Sequence, residues 1–142
     1  MQANAPEDSE QKLEQGDTFT FRRTFTDGDV SMFCSLTGDY NPFHMDETFS
    51  AENRFGARIL PGLLTGSMMT HLGGMMGMLA SEMHFEFLAP VYIDETITCT
   101  VTIDEVNERG VVKAGAAFVN SDGIDVLRAG FTAKPNQIRL AR

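Results

Sequence analysis

The heptapeptide GDYNPFH, residues 38–44, brings a carboxylic acid and an imidazole close together in the chain, at Asp39 and His44. We expect no α-helix to run through this stretch, because Pro42 lacks an N–H and favours an extended conformation at Asn41. Both side chains would then lie on one loop and could turn towards the same point. A carboxylate and an imidazole that flank one water molecule can orient it, take a proton from it and return one. The same residues also fit an ordinary turn, so their spacing by itself leaves both interpretations open.

The second notable feature is an apolar segment, residues 59–81, which contains no Asp, Glu, Lys or Arg. Its length would be sufficient for a membrane span. However, Pro61, five glycines and several hydroxyl-bearing residues dilute its apolar character, and a buried helix of a soluble protein has the same pattern. We therefore predict one long central helix that begins at Pro61-Gly62 and ends near Ala80, with a sheet wrapped around it.

The segments on either side of this helix predict the rest of the fold. Residues 18–25, TFTFRRTF, alternate like a strand, and a helix follows from a cap at Thr26 to Gly38. About four strands follow the central helix, with hairpin turns at NERG, residues 107–110, and NSDG, residues 120–123. Strands that follow helices indicate an α+β domain with an antiparallel sheet.

Charge and composition limit the classes of partner. The 142-residue chain has a net charge of −9, which argues against general binding to nucleic acids or to anionic membranes. Cys34 and Cys99 lack the spacing of a zinc site and are expected to be buried free thiols. Residues 1–17 are polar and acidic and lack the apolar segment of a signal peptide. We therefore expect an N-terminal tail over residues 1–17, a single domain over residues 18–142 and a cytoplasmic location.

Residues 36–68, LTGDYNPFHMDETFSAENRFGARILPGLLTGSM, resemble the signature of the MaoC-like, (R)-specific enoyl-CoA hydratases. That family carries the motif D-x-N-P-x-H, followed after a spacer by an apolar pair, a glycine and a helix rich in Met and Leu. The resemblance extends to residues 25–39 and 85–97 and covers most of the chain. It implies a single hot-dog domain, in which a curved antiparallel sheet wraps around the central helix.

The resemblance also implies a reaction and roles for individual residues. Members of the family are homodimers that reversibly hydrate trans-2-enoyl-CoA to the (R)-3-hydroxyacyl thioester. Asp39 and His44 match the residues that hold and activate the water, and Asn41 matches the asparagine beside them. Gly62 matches the glycine whose backbone N–H faces the thioester carbonyl, and this N–H is free at a helix start to stabilise an enolate oxygen. Thr70 is near the position where some relatives place a hydroxyl close to the catalytic pair.

The same resemblance implies that no metal and no bound cofactor are needed. The coenzyme belongs to the substrate, an acyl-CoA or an acyl-carrier thioester. The chain departs from the family at Leu60-Pro61-Gly62, where Val-His-Gly is usual. Two rival functions stay open, namely a hot-dog acyl-CoA thioesterase in which Asp39 activates water on the carbonyl, and a non-catalytic acyl-thioester-binding subunit. The Asn-Pro-x-His continuation favours the hydratase, whereas the Leu-Pro-Gly departure favours the binding subunit.

Overall fold

The computed structural model describes residues 12–134, which form one five-stranded sheet with helical segments packed against it. The strands are β1 (Thr18–Thr24), β2 (Leu79–Phe87), β3 (Thr96–Val106), β4 (Val112–Asn120) and β5 (Asp125–Lys134). The helices are α1 (Asp27–Thr37), α2 (Pro42–Met45), α3 (Glu47–Glu52), α4 (Gly62–Gly66) and α5 (Thr70–Met76), with a 3₁₀ turn, Ser67–Met69, between the last two. The predicted α+β class with an antiparallel sheet is confirmed.

The order of strands across the sheet is β1-β3-β4-β5-β2, which leaves β1 and β2 at the two edges. Tight turns join β3 to β4 and β4 to β5, at the two sites that the sequence predicts. Gly110 and Gly123 each have a φ of 77° in these turns, a left-handed conformation that glycine adopts without a steric penalty. The amide oxygens of Asn107 and Asn120 accept backbone N–H groups within the turns.

The central helical segment is shorter than predicted, because it ends at Met76 and not near Ala80. Gly77 takes a left-handed conformation and its N–H donates to the carbonyl of Gly73, which closes the last turn. Leu79 and Ala80 instead begin β2, where they pair with β5. The segment is also not buried on all sides, since the apolar side chains of Leu63 and Met75 are exposed.

One hydrophobic core joins the sheet to the helical segments. The side chains of Ile97, Phe118 and Leu127 from the strands are buried in the same cluster as Met69 and Leu72. Cys34 and Cys99 are buried and free, as the sequence predicts. Within residues 12–134, no helix has the length and apolar character needed to cross a membrane.

Most of the predicted N-terminal tail lies outside the described residues. Of the part that is described, Leu13 packs against the core and Gly16 donates its N–H to the carbonyl of Ile103. Ile103 in turn donates its N–H to the carbonyl of Asp17. The boundary between residues 17 and 18 stays a prediction.

Candidate active site

Asp39 is placed by the end of α1. A capping box between Thr26 and Asp29 starts this helix, and Gly38 ends it with a φ of 76° and an N–H that donates to the carbonyl of Cys34. Asp39 follows directly on a loop, where its N–H donates to Thr37 Oγ1 at 3.2 Å. Its own Oδ1 accepts the N–H of Asn41 at 3.3 Å, which leaves Oδ2 free to face His44.

His44 does not lie on the same loop, and in this respect the sequence-based prediction is wrong. Pro42 begins a short helix, α2, because its fixed φ suits the first helical position and its missing N–H has no partner to lose there. Asn41 caps this helix through its Oδ1, which accepts the N–H of Phe43 at 3.1 Å. His44 therefore sits on a helical turn that Asn41 starts.

The imidazole of His44 has a defined orientation. Its Nδ1 lies 2.7 Å from the carbonyl oxygen of Ile59. Because a carbonyl only accepts hydrogen bonds, Nδ1 carries the hydrogen and the Nε2 of a neutral ring keeps its lone pair. Nε2 lies 3.7 Å from Oδ2 of Asp39, which is too long for a direct hydrogen bond. The two acceptors thus face each other across a gap that one water molecule, donating both hydrogens, can bridge.

The burial of the pair is asymmetric. The His44 side chain is 11% exposed, whereas the Asp39 side chain is 45% exposed. The imidazole is therefore enclosed by protein, and the carboxylate opens to the cavity and to solvent.

The extended segment at residues 58 and 59 holds α2 in place through hydrogen bonds. Ile59 donates its N–H to the carbonyl of Phe43 at 3.0 Å and accepts from His44 Nδ1. Arg58 donates from Nε to the carbonyl of His44 at 2.6 Å and from Nη2 to Asp27 Oδ1 at 2.7 Å. The sequence-based analysis missed Arg58. The one available signal was a lone arginine directly before an apolar run.

A cavity of about 670 Å³ contains the pair. Asp39, His44, Gly62 and Thr65 are among the residues that line it. Most of the remaining wall is apolar and includes Phe33, Leu60, Leu63, Phe87, Leu88, Val126 and Leu127. Arg54 also lines the cavity and stacks on the ring of Phe55, with 4.7 Å between its guanidinium carbon and the ring centroid. The site therefore combines a few polar groups with an apolar interior, as small-molecule sites commonly do.

Gly62 lines this cavity at the start of α4. Within residues 12–134 no hydrogen bond uses its N–H, as expected for the first position of a helix. A side chain at this position would meet the ring of Phe87, because an added Cβ would lie 2.5 Å from the nearest ring carbon. Close packing of Phe87 is thus one physical reason for a glycine here.

Thr70 lies apart from the other predicted residues. Its hydroxyl donates to the carbonyl of Ser67 at 2.6 Å. It lines a second cavity of about 380 Å³, together with Ser67 and His71. Among the described residues, the structure brings together Asp39, His44 and Gly62 in one cavity and places Thr70 in the other.

Cys34 lies beneath the site but is not poised as a nucleophile. Burial raises the pKa of its thiol, and the negative charge of Asp39 raises that pKa further, while Arg58 lowers it. A reactive cysteine needs the opposite shift. The groups that the cavity offers for proton transfer are therefore the carboxylate of Asp39 and the imidazole of His44.

Comparisons with known proteins identify the family of this chain. A family model described as MaoC like domain matches residues 7–122. An (R)-specific enoyl-CoA hydratase from Rhodospirillum rubrum is 28% identical over 95 residues, which are 64% of this chain and 66% of that protein. A 3-hydroxybutyryl-CoA dehydratase from Methylorubrum extorquens is 33% identical over 98 residues, which are 66% of this chain and 62% of that protein. The chain thus matches less than two thirds of the length of either relative.

A solved structure shows the same fold. An (R)-hydratase from A. caviae involved in PHA biosynthesis superposes with a TM-score of 0.84 at 24% identity, covering 89% of this chain and 99% of that one. The predicted hot-dog architecture, a single curved antiparallel sheet with a central helical segment, is confirmed by this likeness.

Proposed function

Because the chain belongs to the MaoC-like domain family, which includes hot-dog hydratases and dehydratases, we propose that it is an (R)-specific enoyl-CoA hydratase. The reaction adds water reversibly across the trans-2 double bond of an enoyl thioester and gives the (R)-3-hydroxyacyl thioester. The chain's substrate would be an acyl-CoA or an acyl-carrier thioester. We propose no metal and no bound cofactor, because the coenzyme enters as part of the substrate.

The observation that carries the proposal is the gap of 3.7 Å between His44 Nε2 and Asp39 Oδ2. A water molecule that donates to both atoms has its own lone pairs free for C3 of the substrate. As the water oxygen bonds to C3, the pair takes a proton from it and the π electrons move to the thioester oxygen. The pair then returns a proton to C2 as the enolate collapses, so the net change is addition of H and OH. Asn41, as the cap of α2, would hold His44 in place for these transfers.

Gly62 would stabilise the enolate. Its N–H is free and lines the same cavity as the pair. A donor aimed at an oxygen that gains negative charge is commonly worth about 3 kcal/mol of transition-state stabilisation. Pro61 is fully buried at the cap position of α4, and its carbonyl accepts the N–H of Leu64. The first bond of the helix therefore begins two residues after Gly62 and does not use the Gly62 N–H.

The apolar part of the cavity would hold the acyl chain. The side chains that face it are aliphatic or aromatic, and a hydrocarbon chain gains free energy by leaving water for such a wall. Arg54 lines this cavity, and its guanidinium would meet an anionic part of the thioester carrier.

We also propose a homodimer that forms through β2. This edge strand is nine residues long and carries exposed apolar side chains, with Leu79 at 63% and Phe87 at 58% exposure. An unpaired apolar edge is an aggregation hazard unless another chain covers it. Pairing of β2 with its copy in a second protomer would satisfy the open backbone groups. Met83→Lys should produce a monomer in sedimentation at micromolar concentration, whereas Leu36→Lys, on the exposed face of α1 beside the opposite edge strand β1, should leave a dimer. A wild-type monomer would contradict the dimer.

The test of the reaction follows the ultraviolet absorbance of the enoyl thioester. Crotonyl-CoA and longer trans-2-enoyl-CoAs are incubated with the wild type, Asp39→Asn and His44→Ala, and free thiol is measured in parallel. The hydratase predicts loss of the enoyl band without thiol release in the wild type and no loss in either folded variant. Release of thiol would instead identify the thioesterase. Tight acyl-CoA binding without turnover at any pH would identify the binding subunit and overturn the proposal.

A further inference from the structure

Thr65 has a hydroxyl group without a hydrogen-bond partner. Among residues 12–134, its Oγ1 is the buried side-chain polar atom that no protein group satisfies. The residue is 1% exposed and lines the cavity that contains Asp39 and His44. Burying a hydroxyl without a partner is unfavourable, so such atoms in native proteins call for an explanation.

The neighbouring hydroxyls on the same helical segment are satisfied. Ser67 donates to the carbonyl of Leu64 and Thr70 donates to the carbonyl of Ser67, each at 2.6 Å. This bond to a carbonyl three or four residues earlier is the usual arrangement for Ser and Thr in helices. Thr65 therefore differs from them in its surroundings and not in its chemistry.

The carbonyls three and four residues before Thr65 are those of Gly62 and Pro61, and its hydroxyl is bonded to neither. The carbonyl of Pro61, four residues earlier, accepts the N–H of Leu64 at 3.0 Å and the N–H of Thr65 itself at 3.4 Å. A carbonyl oxygen has two lone pairs, so no acceptor site is left for the hydroxyl. The helix start after Pro61 thus leaves the Thr65 hydroxyl available to a ligand.

The helix geometry directs this hydroxyl towards Gly62. Residues three apart lie on the same face of a helix, and each side chain leans towards the N-terminal end. The Thr65 side chain consequently covers the turn that begins at Gly62, whose N–H also has no partner within the described part of the chain. Threonine in a helix populates two χ1 rotamers, so its hydroxyl can turn to a bound group at little cost.

We propose that Thr65 binds the substrate directly, as a second hydrogen-bond donor to the thioester carbonyl oxygen beside the Gly62 N–H. This inference rests on the proposed hydratase function. The hydroxyl keeps its proton throughout and donates more strongly as the oxygen becomes an enolate, so it lowers the barrier in the manner of an oxyanion hole. Its place deep among apolar residues strengthens that bond, because little water competes for it.

The first test compares hydration rates of matched variants. Thr65→Val keeps the shape but removes the hydroxyl, and Thr65→Ala is a second variant if the branched side chain is not tolerated. Both should lower kcat/KM for every chain length by about 10²-fold, the usual effect of losing one oxyanion donor. Thr65→Ser should keep most of the activity, and Ser67→Ala should match the wild type, because the Ser67 hydroxyl is bonded to its own helix. The thermal midpoint of Thr65→Val should not fall, since no protein hydrogen bond is lost.

The second test has a readout besides turnover. A trans-2-enoyl-CoA is bound to Asp39→Asn, and the infrared stretch of the thioester carbonyl is recorded with and without the added Thr65→Val change. The bound carbonyl should absorb at lower frequency than free substrate, and Thr65→Val should move it back towards the free value. Two results would overturn the role of Thr65 and leave the proposed function intact. One is a carbonyl frequency that Thr65→Val does not change. The other is an active wild type whose Thr65→Val variant is as fast as its Ser67→Ala variant. A wild type that neither hydrates nor binds enoyl-CoA overturns the proposed function and this inference with it.

Discussion

Two cavities share Phe33 as part of their walls. They differ in whether their polar groups form hydrogen bonds within the protein. In the smaller cavity, of about 380 Å³, the two helical hydroxyl groups are bonded within the protein. Ser67 and Thr70 donate to carbonyls of their own helical segment, and His71 stacks on Phe21 with 4.3 Å between ring centroids. In the larger cavity, the Nε2 of His44, the Oδ2 of Asp39 and the N–H of Gly62 face open space.

This difference is what we expect between a structural site and the proposed catalytic one. A polar group that is bonded within the protein contributes to the fold and has little left to offer a ligand. A polar group that is held in place but has one free direction is prepared for a substrate, at a cost in folding free energy. The presence of a threonine in a cavity is thus less informative than whether its hydroxyl has a partner within the protein.

The largest expected effect comes from a pair of histidine substitutions, one in each cavity. His44→Ala removes a proton acceptor from the proposed reaction and should lower kcat for enoyl-CoA hydration by about 10³-fold. His71→Ala removes only a ring that stacks on Phe21, so its kcat should stay close to that of the wild type. Steady-state absorbance kinetics on both folded variants decides the matter. A larger loss in His71→Ala would mean that the smaller cavity takes part in the chemistry.

The comparison also explains how much of the site could be predicted from the sequence. The D-x-N-P-x-H motif is local, so the sequence alone indicated that Asp39 and His44 would come close. The sequence does not show which hydroxyl lacks a hydrogen-bond partner. Thr65, Ser67 and Thr70 all lie on the same helical segment, and they differ in the backbone groups around them. The hydrogen bond from His44 to Ile59 is likewise a contact between residues distant in the chain.

The fold shows the same division between local and distant information. The antiparallel sheet and its hairpins follow from alternation and turn residues and were predicted correctly. The predicted end of the central helical segment near Ala80 was wrong, because the apolar residues 78–80 fit a helix as well as a strand. Pairing of Leu79 and Ala80 with β5, a tertiary contact, selects Gly77 as the last cap.

A second prediction concerns the support of the catalytic pair. Arg58→Met removes the bond to the His44 carbonyl and the ion pair with Asp27, and should lower the free energy of unfolding by about 2 kcal/mol. It should also lower kcat, because α2 is then less firmly held. Asp27→Asn is the matched control, since the Asp27 carboxylate is well exposed and its ion pair should contribute less than about 1 kcal/mol. Urea denaturation and kcat are measured on both. Equal effects of the two changes would show that the His44 carbonyl contact is unimportant.

A third prediction uses two glycines of the central helical segment. Gly62→Ala places a Cβ against the ring of Phe87 and should lower the free energy of unfolding by about 1 kcal/mol. Gly74→Ala meets no heavy atom within 4 Å and should raise it by up to about 1 kcal/mol through helix propensity. Thermal unfolding of both variants shows whether each change raises or lowers the stability of the protein. Combining Gly62→Ala with Phe87→Ala should remove most of the first loss, and failure to do so would show that the ring is not its cause.

The smallest expected effect tests whether the charge of Asp39 reaches the core beneath the larger cavity. Burial alone raises the pKa of Cys99 to about 12, whereas the Asp39 carboxylate adds to the effect of burial at Cys34. Because a raised thiol pKa favours the protonated form, its contribution to stability is complete below the ordinary value of 9.0 and is lost as the pH rises through the folded value. Asp39→Asn should therefore let Cys34 ionise at a lower pH and leave Cys99 unchanged. The ultraviolet absorbance of the thiolate, recorded against pH in a Cys99→Ala background, follows Cys34 by itself. If Asp39→Asn leaves that titration unmoved, the carboxylate is screened from the core, and its charge acts only towards the cavity and the substrate.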